Sequence, residues 1–96
     1  MARLTEEQLK EFSGFLGGTW YDRPEDDETI IQEYLQTEKP EFIEKTIALI
    51  TQFLSSDLPL KEKASVVKDS AWRKFSDDDV GVIKWLEKIL LMLKKR

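Results

Sequence analysis

A run of acidic side chains next to two aromatic residues is the part of this sequence best suited to chemistry or binding. Trp20 and Tyr21 precede the run, which spans residues 22–28. Its five carboxylates belong to Asp22, Glu25, Asp26, Asp27 and Glu28. Unpaired carboxylates stay in water, whereas tryptophan and tyrosine either cover a core or anchor a binding hot spot. The pattern indicates either a surface that attracts a cationic partner or an ordinary helix connection with capping acids.

A pair of carboxylates is the catalytic arrangement that the composition leaves most easily open. The chain has no histidine and no cysteine, which removes imidazole and thiol catalysis, disulfides and the usual zinc ligands. An acid from residues 22–28 paired with Glu33 or Asp77 is the remaining route to acid–base chemistry. Catalytic carboxylates are normally held in a cleft, whereas helix caps and solvated charges need none. We therefore expect a protein that binds and is not an enzyme.

Loops that bind metals or phosphate do not fit this stretch. Residues 22–28 lack the aspartate spacing and the distal glutamate of a calcium loop. Gly14, Gly17 and Gly18 are followed by acids and by no lysine, unlike a glycine loop that binds phosphate. Residues 72–75 mix cations with aromatics, but this short pattern is more typical of core packing than of nucleic-acid binding. We expect no cofactor, no metal and no small-molecule substrate.

Acidic and basic side chains are unevenly distributed along the chain. Residues 1–58 carry five basic and 13 acidic side chains, a net charge of −8, whereas residues 59–96 carry 10 basic and six acidic ones, a net charge of +4. An acidic surface repels nucleic acid and attracts a cationic protein, at an association rate that falls with salt. The partner expected from the residues is therefore a basic protein, and direct contact with nucleic acid is not expected.

Apolar periodicity predicts that these residues stand on a single all-α domain of about five helices, spanning residues 1–96. The first two predicted helices cover residues 6–16 and 25–37. The third begins at Pro40, the fourth begins at Pro59, and the last covers residues 77–94. Gly17 and Gly18 are expected to end the first helix, which leaves the acidic run on an exposed connection. No stretch approaches the roughly 20 apolar residues of a membrane span, so a soluble, cytoplasmic protein with no membrane contact is expected.

Capping residues and apolar stripes define these helices more closely. Thr5 with Gln8 forms a capping box, and Ser76 with Asp79 offers a second one before the last helix. Either Asp26 or Asp27 is expected to cap the second helix. The expected core face of the third helix comprises Phe42, Ile43, Thr46, Ile47, Ile50, Phe53 and Leu54. The expected core face of the fourth helix comprises Leu60, Ala64, Val67 and Ala71. The expected core face of the last helix lies between Val82 and Leu93, with Trp85 beside it.

From about residue 12 to 93 the chain resembles the small helical immunity proteins of bacterial contact-dependent growth inhibition systems. The resemblance is carried by residues 15–22 with the acids that follow, by the helix pair around Tyr34-Leu35 and Pro40, and by Trp85-Leu86. Residues 68–75 depart from the family pattern, so nothing is transferred to them. The resemblance implies a protein without catalytic activity that binds a toxin domain in the cytoplasm.

The implied partner is the C-terminal toxin domain of the cognate exoprotein, commonly a nuclease acting on RNA or DNA, bound in a 1:1 complex. A nuclease usually presents cations around its active site, to which an acidic face is complementary. We expect that face to consist of Trp20, Tyr21, Asp22, Glu25, Asp26, Asp27, Glu28 and Glu33. An acidic adaptor or nucleic-acid mimic that binds a different basic protein is the alternative interpretation.

Overall fold

The computed structural model describes residues 4–21, 25–71 and 78–95. Its five α-helices are α1 (Glu6–Trp20), α2 (Asp27–Thr37), α3 (Pro40–Ser55), α4 (Leu60–Ser70) and α5 (Asp79–Lys94). The described ranges contain no strand, so the predicted all-α bundle is confirmed. Asp22, the segment 72–75, Ser76 and Asp77, on which several predictions rest, lie outside the described residues.

The apolar faces of all five helices meet in one core. α5 packs against α2, α3 and α4, and α1 packs against the same three helices. Phe12 of α1 stacks on Phe53 of α3, with ring centroids 4.3 Å apart. Both α2 and α3 therefore rest on α1 and α5, an arrangement that leaves a groove between them. Among the described helices, none pairs the length with the apolar content that crossing a bilayer takes.

The first helix is longer than predicted, because Gly17 and Gly18 lie inside it and it continues to Trp20. Each glycine costs a helix about 1 kcal/mol relative to alanine. The side chain of Trp20 is only 3% exposed, and truncating a buried tryptophan typically costs about 3–5 kcal/mol. Burial of Trp20 thus outweighs the two glycines. The expectation that these glycines end the helix was wrong.

The starts of three helices agree with the sequence. Thr5 and Gln8 form the predicted reciprocal capping box, and Pro40 occupies the first turn of α3 as expected. Asp26 caps α2. At α5 the cap is Asp78, whose carboxylate accepts from the backbone N–H of Gly81, so the helix begins later than the predicted Ser76 cap implies.

Two residues predicted for the core are exposed. Phe42 is 52% exposed because the buried stripe of α3 starts at the next residue, Ile43, about 100° further around the helix. Leu60 is 44% exposed and is the first residue of α4, where a helix end has packing neighbours on one side only. The inner positions Ala64 and Val67 are fully buried, as predicted.

Candidate functional site

The last turn of α1 and the first turn of α2 meet at a carboxylate shared by two tryptophans. The indole nitrogen of Trp20 donates a hydrogen bond to Asp27 Oδ1 at 3.0 Å, and that of Trp85 donates to Asp27 Oδ2 at 2.7 Å. The two indole rings are in edge contact, with centroids 5.1 Å apart and planes at 68°. We call Trp20, Asp27 and Trp85 the Asp27 clamp. It ties the beginning of α2 to both α1 and α5.

The Asp27 clamp determines what two of the candidate binding residues do. Hydrogen bonds to an ionised carboxylate contribute about 1.5–3 kcal/mol each, more than neutral ones. Trp20 is buried and turns its indole nitrogen toward Asp27, so it supports the acidic surface from within. Asp27 is half-buried and uses both carboxylate oxygens inside the protein. These two side chains position the surface rather than forming its exposed part.

Asp26 is the cap of α2 and lies at the surface. Its carboxylate accepts a hydrogen bond from the backbone N–H of Thr29 at 2.8 Å. The side chain and the backbone of Thr29 both bond to this carboxylate and lower the pKa of Asp26 below its usual value of 3.8. Asp26 is therefore an anion at neutral pH, and its charge complements the positive end of the α2 dipole.

The remaining described candidates are exposed but point in different directions. Tyr21 is 58% exposed, and Glu25 and Glu28 lie at the surface around the start of α2. Glu28 borders a small pocket of about 210 Å³ that also involves Met92 near the end of α5. Glu33 follows Glu28 by five residues, about 140° around the helix, and faces the opposite side of α2. The candidate residues therefore wrap around α2 instead of sharing one flat face.

A groove of about 630 Å³ lies on the Glu33 side, between α1, α2 and α3. We call it the three-helix groove. α1 contributes Gly14 and Gly18 to its lining. A Cβ atom built on either glycine would have nothing within 4 Å, so this part of the lining is open. Exposed Phe42 of α3 also lines the groove.

The walls of the three-helix groove are connected by side-chain contacts. The hydroxyls of Tyr34 on α2 and Thr46 on α3 are hydrogen-bonded at 2.9 Å. Burial raises the pKa of the Tyr34 phenol; the Thr46 bond opposes this rise and the charge of Glu38 adds to it. Tyr34 is therefore a neutral hydroxyl at neutral pH. Lys45 of α3 pairs with Glu11 of α1 at 2.9 Å.

Sequence reasoning missed most of this groove. The four-residue spacing of Gly14 and Gly18 places both on one side of α1 and was visible in the sequence. Because the glycines predict a helix end, the sequence gives no reason to expect Gly14 and Gly18 on one face of a helix. The contact of Tyr34 with Thr46 and the exposure of Phe42 depend on how the helices pack, which no local pattern encodes.

The described carboxylates that the sequence offered for metal or acid–base chemistry have separate surroundings. Within residues 4–21, 25–71 and 78–95, no three acidic side chains are grouped so that they could hold a metal ion. Of the carboxylates considered for an acid–base pair, Glu33 lines the groove, Asp27 binds the two indoles and Asp77 lies outside the described residues.

Two segments that carry the sequence resemblance come together in space. Trp20 from the first segment and Trp85 from the last are joined through Asp27. These residues therefore have a shared structural role, which is to fix α2 in place. Comparisons of the chain with protein-family models, with curated proteins and with solved structures find no match.

Proposed function

We propose that this protein is an immunity protein that binds and neutralises the C-terminal toxin domain of a contact-dependent growth inhibition exoprotein. The observation that carries the proposal is the charge of α2 and its two caps. From Asp26 to Glu38 the chain has five acidic residues and no basic one. A nuclease toxin binds phosphate with cations around its active site, and an acidic helix is complementary to such a surface. The sequence resemblance points to the same partner.

The exposed side chains at the start of α2 make the first contact in this proposal. Tyr21, Glu25 and Glu28 are exposed and lie within five residues of the capping Asp26 in the chain. Tyr21 supplies an aromatic anchor of the kind enriched at hot spots, and the carboxylates steer the basic toxin into contact. Asp22, which the sequence predicts for this surface, lies outside the described residues. Covering the substrate groove of the toxin then inhibits it without any reaction by the immunity protein.

The Asp27 clamp gives this surface a fixed shape. Binding costs less when the interface is already ordered in the free protein. Asp27 holds the first turn of α2 against Trp20 and Trp85, and Asp26 closes the helix end. The carboxylates of α2 therefore meet the toxin in a preformed arrangement.

Co-expression with the toxin tests the proposal directly. The gene should lie immediately after one that encodes a large exoprotein. The C-terminal domain of that exoprotein, expressed alone in a bacterial host, should stop growth, and this protein should restore growth and co-purify with the domain at 1:1. Failure to protect, or the absence of such a gene, would contradict the proposal. A stable complex with another basic protein, without protection, would favour the adaptor alternative.

A charge-reversal variant tests the proposed surface. Glu25→Lys combined with Glu28→Lys should slow association by about tenfold at low salt and weaken its salt dependence, because steering depends on these charges. The control Glu62→Lys with Glu87→Lys makes the same change in net charge on α4 and α5, where both acids are exposed. Stopped-flow association and circular dichroism provide the measurements. Equal rates for the two variants would place the contact elsewhere.

Asp26 and Asp27 are poor positions for this test. Lysine at Asp26 removes the cap of α2, and lysine at Asp27 breaks two indole hydrogen bonds. Either change therefore mixes a loss of charge with damage to the fold. Glu25 and Glu28 are exposed beside them, and neither is the cap of α2 or one of the three residues of the Asp27 clamp.

A further inference from the structure

A small pocket between α2 and α5 opens beside the acidic start of α2. Its volume is about 210 Å³. We call it the α2–α5 pocket, and its described lining consists of Glu28, Ile31, Gln32, Leu35, Met92 and Lys95. The four residues from α2 follow the spacing of one side of a helix. Two packed helices, and not a loop, therefore form this pocket.

The apolar side chains of the α2–α5 pocket belong to the edge of the core. Ile31 is buried, and Leu35 and Met92 are half-buried and pack against the core. An apolar group that enters the pocket removes their remaining surface from water, which is favourable. Methionine is flexible and fills irregular gaps, so Met92 can adapt to the shape of an entering group.

The volume of the α2–α5 pocket suits a single side chain. Sites for drug-sized ligands occupy about 300–1,000 Å³, which is more than this pocket offers. An engineered protein cavity of about 150 Å³ with an apolar lining holds one benzene molecule. The pocket therefore has room for one aromatic or branched aliphatic side chain, and a larger ligand would remain mostly outside.

The charges around the pocket indicate which partner carries that side chain. Glu28 is exposed at the pocket and is also one of the acids proposed to steer the toxin. Asp26, two residues earlier, is exposed and has a lowered pKa. A basic segment drawn to these carboxylates brings its neighbouring side chains to the pocket. Lys95 adds a base on the α5 side, so the attraction acts from the α2 side and the apolar contact has to supply the rest.

We propose that the α2–α5 pocket receives one apolar side chain from a basic segment of the toxin, with a lysine or arginine of that segment at Glu28. This contact rests on the proposed function and adds the step that follows steering. An apolar anchor in a pocket, with polar contacts around it, is a common form of a binding hot spot. The charges of α2 then set how fast the complex forms, and the pocket sets how slowly it dissociates.

Covering the pocket tests this contact. Gln32 is exposed and lines the pocket, whereas Gln36 is exposed one turn further along α2 and outside the described lining. Gln32→Trp should bind the C-terminal domain of the upstream exoprotein at least about tenfold more weakly than the wild type, the scale for losing a central contact. The matched control Gln36→Trp should bind like the wild type. Isothermal titration calorimetry measures the affinities, and circular dichroism should show equal helix content in both variants.

A smaller substitution separates the pocket from the glutamine itself. Gln32→Ala removes the amide and leaves the pocket open, and alanine favours a helix more than glutamine does. This variant should fold and should bind like the wild type. A loss of affinity in Gln32→Ala as large as that in Gln32→Trp would show that the amide makes the contact, and it would overturn the proposal of an apolar occupant.

Lys95 reports the charge of the segment that reaches the pocket. Lys95→Gln should speed association at low salt, because it removes a base from a surface that a basic segment approaches. Lys88→Gln makes the same change at an exposed position of α5 outside the described lining and should have a smaller effect. Stopped-flow mixing measures both rates. Slower association in Lys95→Gln would show that the pocket faces an acidic segment and would overturn the proposed contact.

The outcomes distinguish the pocket contact from the function on which it rests. Wild-type affinity in Gln32→Trp, with growth protection intact, would overturn the pocket contact and leave the immunity function standing. A wild-type protein that neither binds the toxin domain nor protects would overturn both. Self-association of the wild type that Gln32→Trp abolishes, measured by light scattering, would show that a second copy of this chain occupies the pocket and would overturn the proposed contact.

Discussion

The helices α2 and α5 begin with similar acidic sequences but use the second acid differently. Asp26 and Asp78 are the two caps, and each carboxylate accepts a backbone N–H three residues later, at 2.8 and 2.9 Å. The next residue is an aspartate in both helices. Asp27 accepts from two indole nitrogens at 3.0 and 2.7 Å. Asp79 lies 3.6 Å from the ammonium of Lys68, with both side chains about 40% exposed.

The difference shows which part of a helix start is local and which is not. A cap needs only the carboxylate and the backbone of its own helix, so similar sequences give similar caps. The partners of Asp27 come from seven and 58 residues away, and the fold alone brings them together. The α2 start is therefore held to the bundle by tertiary bonds, whereas Asp79 makes a surface ion pair.

Removing the carboxylate of Asp27 should have the largest effect. Asp27→Ala leaves the Trp20 and Trp85 indoles without their Asp27 acceptor. An unsatisfied buried donor costs about 1–3 kcal/mol, a penalty that applies in full to buried Trp20 and in part to half-buried Trp85. We expect the free energy of unfolding to fall by about 2–4 kcal/mol, measured by urea denaturation with tryptophan fluorescence. Asp27→Asn should lose about half as much, because its amide oxygen accepts from one indole while its amide nitrogen faces the other.

The matched change on α5 is Asp79→Ala. It removes an exposed ion pair, and such pairs contribute about 0–1 kcal/mol. The free energy of unfolding should therefore change much less than in Asp27→Ala. Similar losses in the two alanine variants would contradict the distinction between the two helix starts and would show that the Asp27 clamp contributes little.

The two caps should behave alike and have the next largest effect. Asp26→Ala and Asp78→Ala each lose one bond to a backbone N–H at a helix start, and each should lower the midpoint of thermal unfolding by several degrees. Circular dichroism measures both. A much larger loss in Asp26→Ala would indicate that the cap and the Asp27 clamp act together.

The contribution of Asp26 should also depend on pH. Hydrogen bonds with Thr29 lower the pKa of Asp26 in the folded state below its usual value of 3.8. Stability from a carboxyl with a lowered pKa is fully present above the unfolded value and is lost as the pH falls through the folded one. The difference in midpoint between wild type and Asp26→Ala should therefore be constant at neutral pH and shrink below pH 3.8. A midpoint difference that grows as the pH falls would contradict this prediction.

Most of the fold was predictable because its determinants are local. Periodicity located all five helices, and the capping box at Thr5 and the proline at position 40 were assigned correctly. The errors occur where packing overrides propensity. Gly17 and Gly18 were expected to end α1, but burial of Trp20 carries the helix through them. Periodicity likewise predicted Phe42 in the core face of α3, but the buried face is narrower in the folded protein and leaves Phe42 exposed.

The candidate site was predictable in composition but not in arrangement. The exposure of Glu25 and Glu28 was predictable, because it follows from their charge. The sequence does not distinguish a carboxylate that faces solvent from one that binds two indoles, because Asp27 differs from its neighbours only in what packs against it. The three-helix groove likewise depends on where α2 and α3 rest on α1 and α5.

The smallest effect should be the coupling between Lys68 and Asp79. At 3.6 Å and with both side chains solvated, water and salt screen this pair. A double-mutant cycle of Lys68→Ala and Asp79→Ala should give a coupling of about 0.5 kcal/mol or less, and it should vanish near 1 M salt. The same cycle between Asp27→Ala and Trp85→Phe should give at least about 1 kcal/mol, because phenylalanine removes the indole donor that Asp27 binds at 2.7 Å. Equal coupling energies would mean that Asp27 and Asp79 are bound equally strongly to their partners. The conclusion that Asp27 fixes the start of α2 would then be wrong.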